Sequence, residues 1–202
     1  MTIDVEKADV VEIYRALVGA VTPRPIAWVT TVNPAGLVNL APFSFFNAFG
    51  ANPPIVVFSP TLRRDGSRKD TLNNVEATGE FVVNAAVEDL AEQVNRSSME
   101  LPSGESEIEL TGLETLPSVR VKPPRIAQSP VHLECRVRQI LPMGTGPIAP
   151  NLVIGEVLFI HVRDDVLDAQ GLIDPAKLRT IGRLGGDEYA RISDRFSLKR
   201  PT

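Results

Sequence analysis

The sequence has few of the side chains from which disulfide bridges and metal sites are built. Cys135 is the only cysteine among the 202 residues, and His132 and His161 are the only histidines. A single cysteine cannot form an intrachain disulfide, and no thiolate cluster is available for zinc or iron–sulfur chemistry. We therefore expect a reducing compartment and a buried Cys135 that acts as a small hydrophobic residue. The two histidines fall on separate predicted strands, far apart in the sequence, and are predicted to be structural.

Long apolar runs and an excess of positive charge are also missing. No segment approaches the roughly 18 consecutive apolar residues of a membrane span, and the N-terminal segment is acidic rather than basic. The 21 basic and 25 acidic residues give a net charge of -4, which has the wrong sign for a protein that binds nucleic acid through its phosphates. We expect a soluble, cytoplasmic protein with no nucleic-acid or membrane partner, folded as one domain over residues 1–202.

Apolar patterning indicates a mainly β chain with flanking short helices. Two apolar runs, Ile26–Val32 and Leu37–Ala41, flank the turn sequence Asn33-Pro-Ala-Gly36 and predict a β-hairpin. Because no regular βαβ alternation is present, an antiparallel barrel or sandwich is favoured. Further strands are predicted at Ile55–Phe58, Phe81–Asn84, Val131–Val137 and Leu152–Val162, and helices at Val10–Gly19, Thr71–Thr78 and Ala86–Asn95.

The strand that begins at Val131 alternates apolar with polar residues, and this alternation predicts a half-buried strand. The polar positions of that alternation include His132 and Glu134. Residues 97–128, which precede the strand, are rich in Ser, Glu and Pro and show weak periodicity. They are predicted to form a long surface excursion that covers part of the molecule.

A basic segment precedes the predicted helix Thr71–Thr78. Asp70 is a candidate N-cap for this helix, and Gly79 is its predicted C′ residue. Free N–H groups and a partial positive charge at a helix N-terminus favour a phosphate, particularly beside cations. The alternative is a solvated basic loop. The four cations are Arg63, Arg64, Arg68 and Lys69.

Residues Asn39–Asn47 form a second candidate site, where a predicted strand runs into Pro42 and three phenylalanines mix with small polar residues. Backbone amides in such a segment can lie along the edge of a flat polar heterocycle while aromatic side chains exclude water. The alternative is an aromatic corner of the core. Other motifs are absent: Gly144-Thr-Gly146-Pro147 lacks the third glycine of a dinucleotide fingerprint, and no nucleophile elbow or Walker loop is present.

Five segments, in chain order, carry a resemblance to a known family. They are Pro23–Thr31, Asn39–Asn47, Pro53–Ser59, Arg68–Asn74 and Ile181–Tyr189. Together they resemble the flavin-reductase-like FMN-binding split-barrel family, in the branch that contains flavoredoxin. The resemblance implies a split β-barrel of Greek-key topology with flanking helices, a homodimer, and one FMN per protomer near the subunit interface.

The resemblance also implies a set of FMN-binding residues. The backbone of Ala41–Ser44 would lie along the isoalloxazine ring, and Thr30 and Thr31 would approach the ring or the ribityl chain. The phosphate would lie near Ser59, Lys69 and one arginine, for which Arg63, Arg64 and Arg68 offer several registers. The full set is Thr30, Thr31, Asn39, Ala41, Pro42, Phe43, Ser44, Asn47, Ser59, Arg63, Lys69, Asp70 and Thr71.

The expected function is an oxidoreductase that reduces FMN with NADH or NADPH and passes electrons to free flavin or to a partner, such as a monooxygenase or a redox protein. No side chain is predicted to be a catalytic acid, base or nucleophile, which suits chemistry carried by the cofactor. Two alternatives remain: a non-enzymatic FMN electron carrier and a flavin-free interaction domain. The segment Arg183–Tyr189 is either a structural, dimer-facing loop or a contact to the flavin edge.

Overall fold

A computed structural model describes residues 1–102 and 104–201 of the chain. The β-strands are β1 (Arg24–Pro25), β2 (Ala27–Val32), β3 (Val38–Phe43), β4 (Phe46–Ala51), β5 (Pro54–Phe58), β6 (Glu80–Ala85), β7 (Thr115–Leu116), β8 (Arg125–Ile126), β9 (Val131–Pro142), β10 (Asn151–Val162), β11 (Ile181–Arg183) and β12 (Tyr189–Arg191). The α-helices are α1 (Val10–Ala20), α2 (Asp70–Thr78), α3 (Ala91–Arg96), α4 (Glu107–Thr111) and α5 (Pro175–Leu178), and short 3₁₀ helices lie at Glu88–Leu90 and Asp164–Val166.

A seven-stranded sheet in the order β3-β2-β6-β9-β10-β5-β4 organises the molecule. All its neighbouring strands are antiparallel, and β3 and β4 are its two edges. The predicted hairpin is confirmed as β2 and β3, with Gly36 at a φ of 87° in the turn. A glycine is also needed at position 155 of β10, because a Cβ there would lie 2.3 Å from the Phe81 ring.

Apolar cores lie on both faces of the sheet, so all six residues of β2 are buried. On the inner face, Val29 packs in a cluster with Phe43, Phe58 and Phe81. On the outer face, Trp28 packs in a second cluster that includes Val94 of α3 and Ile126 of β8. The predicted mainly β chain with short flanking helices is therefore confirmed, and the described part of its excursion, residues 97–102 and 104–128, covers the outer face.

The helix predictions hold in position but not in every boundary. The first helix is predicted to end at Gly19, as a glycine suited to the C′ position, but Gly19 lies inside α1, which ends one residue later, so that prediction is wrong. Asp70 is the first residue of α2, and Lys69 occupies the N-cap position that was predicted for Asp70. The Asp70 carboxylate pairs with Arg63 at 3.2 Å instead of capping the helix. Gly79 follows α2 in a left-handed conformation, as predicted.

Two polar residues of β9 are buried, unlike the exposed polar face of an ordinary half-buried strand. His132 is 5% exposed and Glu134 is 0% exposed. The Glu134 carboxylate accepts backbone hydrogen bonds from Val119 and Arg120 at 2.8 and 2.6 Å, and it lies 2.6 Å from Nε2 of His161. The excursion therefore covers this face and supplies hydrogen bonds in place of water.

The two histidines face each other across β9 and β10, although they are far apart in the sequence. Their ring centroids are 6.0 Å apart. Within residues 1–102 and 104–201 no group of His, Cys, Asp and Glu could hold a metal ion. Cys135 is fully buried, as predicted, and burial raises the pKa of its thiol. Among the described helices, none is long and apolar enough to cross a membrane.

Candidate functional site

Arg63 lies at the centre of the loop between β5 and α2. Its guanidinium lies 3.2 Å from Asp70 and 3.5 Å from Glu100, and it donates to the Arg68 carbonyl oxygen. Arg68 turns away, with its guanidinium 2.6 Å from Glu76 on the outside of α2. Arg63 therefore lies beside the start of α2, whereas Arg68 points away from it.

Lys69 brings a second cation to the start of α2. Its Nζ atom lies 5.7 Å from the centre of the Phe43 ring. Burial lowers the pKa of Lys69, the Glu100 carboxylate raises it in part, and Arg63 lowers it further. Since no side chain caps α2, the first N–H groups of the helix are available to an anion.

A small cavity, here called the inner cavity, joins this cationic loop to β3. It has a volume of about 90 Å³. Asn39 and Thr71 meet on its wall, where the Asn39 amide donates to the Thr71 hydroxyl at 2.9 Å. Eight of the predicted site residues line it: Asn39, Ala41, Pro42, Phe43, Arg63, Lys69, Asp70 and Thr71.

Glu107, in the excursion, is a wall residue of the inner cavity that no sequence pattern singles out. The residue is 7% exposed, and its carboxylate accepts the Leu40 backbone N–H at 2.9 Å. Burial raises the pKa of Glu107, and the Leu40 hydrogen bond opposes that rise. The residue ties α4 to β3 and so holds the excursion over the site.

A larger cavity, here called the outer cavity, lies on the other side of the same cations. Its volume is about 460 Å³. Arg63, Lys69 and Glu100 line both cavities, so the two spaces share one charged wall. The remaining lining comes from α1, from the loop between β5 and α2, and from Ile148: Val11, Tyr14, Thr61, Leu62, Arg64, Asp65 and Ile148.

The side chains of Thr30 and Thr31 do not line either cavity. Both residues are fully buried. The Thr30 hydroxyl donates to the Pro124 carbonyl oxygen at 2.5 Å, and the Thr31 hydroxyl accepts from the Asn74 amide at 3.0 Å. These contacts fix β2 against the excursion and α2. A flavin contact at Thr30 and Thr31 stays a prediction.

Ser44, Asn47 and Ser59 also lie outside the two cavity walls. The Ser44 hydroxyl is 3.3 Å from Nε of Arg24, and the exposed Asn47 side chain accepts the Ala48 N–H. The Ser59 hydroxyl is buried at the end of β5 and has no hydrogen-bond partner in the described part of the chain. A buried hydroxyl without a partner is costly, so Ser59 suits an acceptor brought by a ligand.

Arg24 is a buried organising residue next to the site. It is 4% exposed and donates to the carbonyl oxygens of Val18, Val21 and Leu184 at 2.6, 3.0 and 3.0 Å. Burial lowers the pKa of Arg24. The guanidinium therefore ties α1, the end of β3 and the C-terminal loop together. The signal for it in the sequence is the Pro-Arg-Pro of the first family-like segment.

The C-terminal loop, which joins β11 to β12 at residues 184–188, is held mainly by the side chain of Arg183. The Arg183 guanidinium lies 4.6 Å from the centre of the Tyr189 ring and donates to the carbonyl oxygens of Glu188 and Gly186 at 2.9 and 2.6 Å. Strand β11 pairs with β1. These contacts hold the loop within the protomer, and Arg183 lines neither the inner nor the outer cavity. A dimer-facing role and a contact to the flavin edge both stay predictions.

Comparison with known structures identifies the fold. The structure of nitrilotriacetate monooxygenase component B from Bacillus cereus superposes with a TM-score of 0.91 at 35% identity and covers 98% of each chain. A split-barrel-domain structure from Shewanella frigidimarina superposes with a TM-score of 0.84 at 21% identity and covers 100% of both chains. The predicted split barrel is therefore confirmed.

Comparison of sequences gives the family. An uncharacterized protein of Halalkalibacterium halodurans is 47% identical over 193 residues, which are 95% of this chain and 92% of the relative. The family described as flavin reductase like domain matches residues 19–182. This match includes every residue of the predicted FMN site, from Thr30 to Thr71. The chain belongs to the flavin reductase like domain family.

Proposed function

We propose that the chain binds FMN and is an NAD(P)H-dependent flavin reductase. Family membership places it among flavin-related oxidoreductases. The observation that carries the proposal within this class is the pair Arg63 and Lys69, which lies beside an uncapped helix and an edge strand. The two cations and the helix N-terminus suit the phosphate of FMN, and the edge strand suits its ring. FMN needs both surfaces next to each other.

The residues fit FMN at its phosphate end. Lys69 loses solvation by burial, so an anion beside it restores a favourable environment for its charge. Arg63 and the first N–H groups of α2 supply further donors. The unpartnered hydroxyl of Ser59 lies at the end of the strand that leads into this loop.

The residues of β3 also suit one edge of the flavin ring; the inner cavity, at about 90 Å³, is smaller than the roughly 300–1,000 Å³ of small-molecule sites and would hold only that edge. Strand β3 is an edge of the main sheet, so its outer backbone groups are not used by another strand. Ala41, Pro42 and Phe43 of this strand line the inner cavity. The bound cofactor would accept a hydride from the nicotinamide and pass electrons on, while the chain positions the ring and excludes water.

The partner assignments rest on the same family. The Bacillus cereus relative is component B of a monooxygenase. By similarity, this chain delivers electrons to free flavin or to a partner protein such as a monooxygenase. The proposal also includes a cytoplasmic, single-domain homodimer that holds its flavin near the subunit interface.

An anaerobic titration tests the proposed reaction. The FMN-loaded protein is mixed with NADH and, separately, with NADPH, and the loss of flavin absorbance is followed. Bleaching by at least one nicotinamide is expected. If neither bleaches the flavin at millimolar concentration, the chain is instead an FMN electron carrier. A purified protein that takes up no FMN, and so shows no flavin absorbance, would identify a flavin-free interaction domain.

A further inference from the structure

The outer cavity lies directly beside the proposed phosphate site. Arg63, Lys69 and Glu100 form the wall that it shares with the inner cavity, and among the described residues the Glu100 carboxylate, which pairs with Arg63, is the one anion on that wall. Its volume of about 460 Å³ falls within the roughly 300–1,000 Å³ of small-molecule sites. A ligand whose first phosphate lies at Lys69 would therefore have this space next to it, on the far side of Arg63.

The outer cavity has an aromatic wall. Tyr14 of α1 lines it and is 43% exposed. The ring is held by a nearly perpendicular contact with Phe45, at 85° and 6.3 Å between centroids. Stacking of a base on an aromatic side chain contributes about 1–3 kcal/mol. The fixed, exposed ring of Tyr14 is thus suited to a nucleobase.

Polar groups on the same wall suit a second phosphate and a ribose. Arg64 lines the outer cavity next to Arg63, so two arginines border the space. Asp65 follows them, and hydrogen bonds from Ser67 lower the pKa of its carboxyl. An ionised carboxylate accepts hydrogen bonds from hydroxyl groups such as those of ribose.

Backbone strain also lies on this wall. Ile148 has a φ of 61°, which is unusual for a β-branched residue. Its N–H donates to the Arg63 carbonyl oxygen at 3.4 Å, and the Leu62 N–H donates to Ala149 at 2.9 Å. These bonds tie the strained residue to the cationic loop. Such strain costs about 1–3 kcal/mol and concentrates at ligand sites.

We propose that the outer cavity binds the adenosine 5′-phosphate moiety of a dinucleotide, with its phosphate at Arg63 and Arg64 and its adenine against Tyr14. The inference rests on the proposed function in one respect, which is that the flavin phosphate lies at Lys69. Two dinucleotides carry this moiety, namely FAD and the nicotinamide donor. A different occupant, the isoalloxazine ring itself, is an outcome of the test.

The subsite is tested first without any flavin. Adenosine 5′-monophosphate is titrated into the flavin-free protein by calorimetry, with Tyr14→Ala as the test variant. Leu17→Ala is the matched control, because Leu17 is an exposed apolar residue of the same helix that does not line the outer cavity. We expect binding in the native chain and in the control, and a loss of about fivefold or more in Tyr14→Ala. Absence of binding to the native chain overturns the inference.

Titrations with FAD and with NADH then separate the two sources. The dinucleotide whose affinity falls in Tyr14→Ala is the one that places its adenosine in the outer cavity, whereas FMN and riboflavin should change less than twofold. If Tyr14→Ala weakens FMN and riboflavin as much as FAD, the ring occupies this space and the inference is wrong. It is also wrong if neither dinucleotide responds. Failure of FMN to bind, with adenosine monophosphate binding intact, would overturn the proposed function alone.

Discussion

At the scale of single residues, the site depends on a balance of charges rather than on a simple excess of cations. Arg63 and Lys69 face two carboxylates, those of Asp70 and Glu100. Asp70 belongs to α2 and is fixed by it, whereas the Glu100 side chain is 71% exposed and pairs with Arg63 at 3.5 Å. Two of these four groups favour a bound anion and two oppose it, and substitution of one group at a time measures the contribution of each.

Lys69→Ala should weaken FMN about ten- to a hundredfold, because a charge-assisted hydrogen bond to a phosphate contributes about 1.5–3 kcal/mol. Riboflavin, which has no phosphate, should change little. Fluorescence titration of both flavins at fixed ionic strength measures the difference. Arg68→Ala is the control, since Arg68 pairs with Glu76 on the outside of α2. Equal losses for the two flavins would show that Lys69 does not contact the phosphate.

Glu100→Gln should strengthen FMN binding, in contrast to Lys69→Ala. Removal of this charge takes away a carboxylate that competes with the phosphate for Arg63, and exposed ion pairs contribute about 0.2–1 kcal/mol. We expect FMN to bind up to about fivefold more tightly, with riboflavin unchanged. Glu105→Gln, an exposed acid nearby in the chain, is the matched control. Weaker FMN binding in Glu100→Gln would mean that the carboxylate supports the site.

At the scale of elements, strands and helices that depend on local sequence pattern could be predicted. Features that depend on contacts with distant segments could not. The β2–β3 hairpin is predictable because its turn residues and apolar runs are adjacent. The burial of His132 and Glu134 is not predictable, because the covering groups come from the excursion. Strand β4 has no alternating pattern, and within the described residues its one strand partner is β5. Its first two residues, Phe46 and Asn47, end the predicted aromatic segment, and no strand is predicted over the rest of β4.

The candidate site was likewise predictable only where its residues lie close together in the sequence. The cationic loop and the start of α2 could be predicted, because both lie within Ser59–Thr71. The choice of Arg63 over Arg68 depends on Glu76 and Asp70, whose positions follow from the turn of α2. Glu107 and Tyr14 could not be selected, because only the folded chain brings α4 and α1 to this loop.

The buried His132 of β9 makes the excursion sensitive to pH. The pKa of His132 is lowered to about 4, mainly by burial; Arg125, His161 and Arg163 add to this lowering, and the hydrogen bond to the Ile126 carbonyl oxygen opposes it. The folded state therefore keeps the ring neutral, while the unfolded chain binds a proton below about pH 6.5. The stability that this group contributes is present above pH 6.5 and is lost as pH falls towards 4.

Urea unfolding at pH 7 and pH 5 checks this expectation. The native chain should lose about 2 kcal/mol more of its unfolding free energy than His132→Gln between these two values, because glutamine does not titrate and its amide can still donate to Ile126. His132→Gln must first be shown to fold at pH 7 by its circular dichroism. Parallel losses in both chains would assign the acid sensitivity to other groups.

At the scale of the whole molecule, the two edges of the main sheet differ. Strand β3 is covered at its start by α4, through the contacts of Ser106 with Val38 and of Glu107 with Leu40. Strand β4 carries no charged residue, and its five residues Asn47–Ala51 are exposed. An exposed, uncharged edge strand is prone to pair with another chain unless it is covered.

We therefore expect β4 to be covered by a second copy of the chain. Light scattering should give a mass of twice the 22.0 kDa protomer at micromolar concentration. Phe49 is 68% exposed on this strand, so Phe49→Lys should shift the protein towards the monomer, because a charge on an edge strand disfavours its pairing. Leu172→Lys is the control, since Leu172 is 65% exposed and lies outside the main sheet. The flavin links this prediction to the site: if the dimer holds FMN near the interface, Phe49→Lys should also weaken FMN, and Leu172→Lys should not. A native chain that stays at 22.0 kDa with FMN present would contradict both expectations.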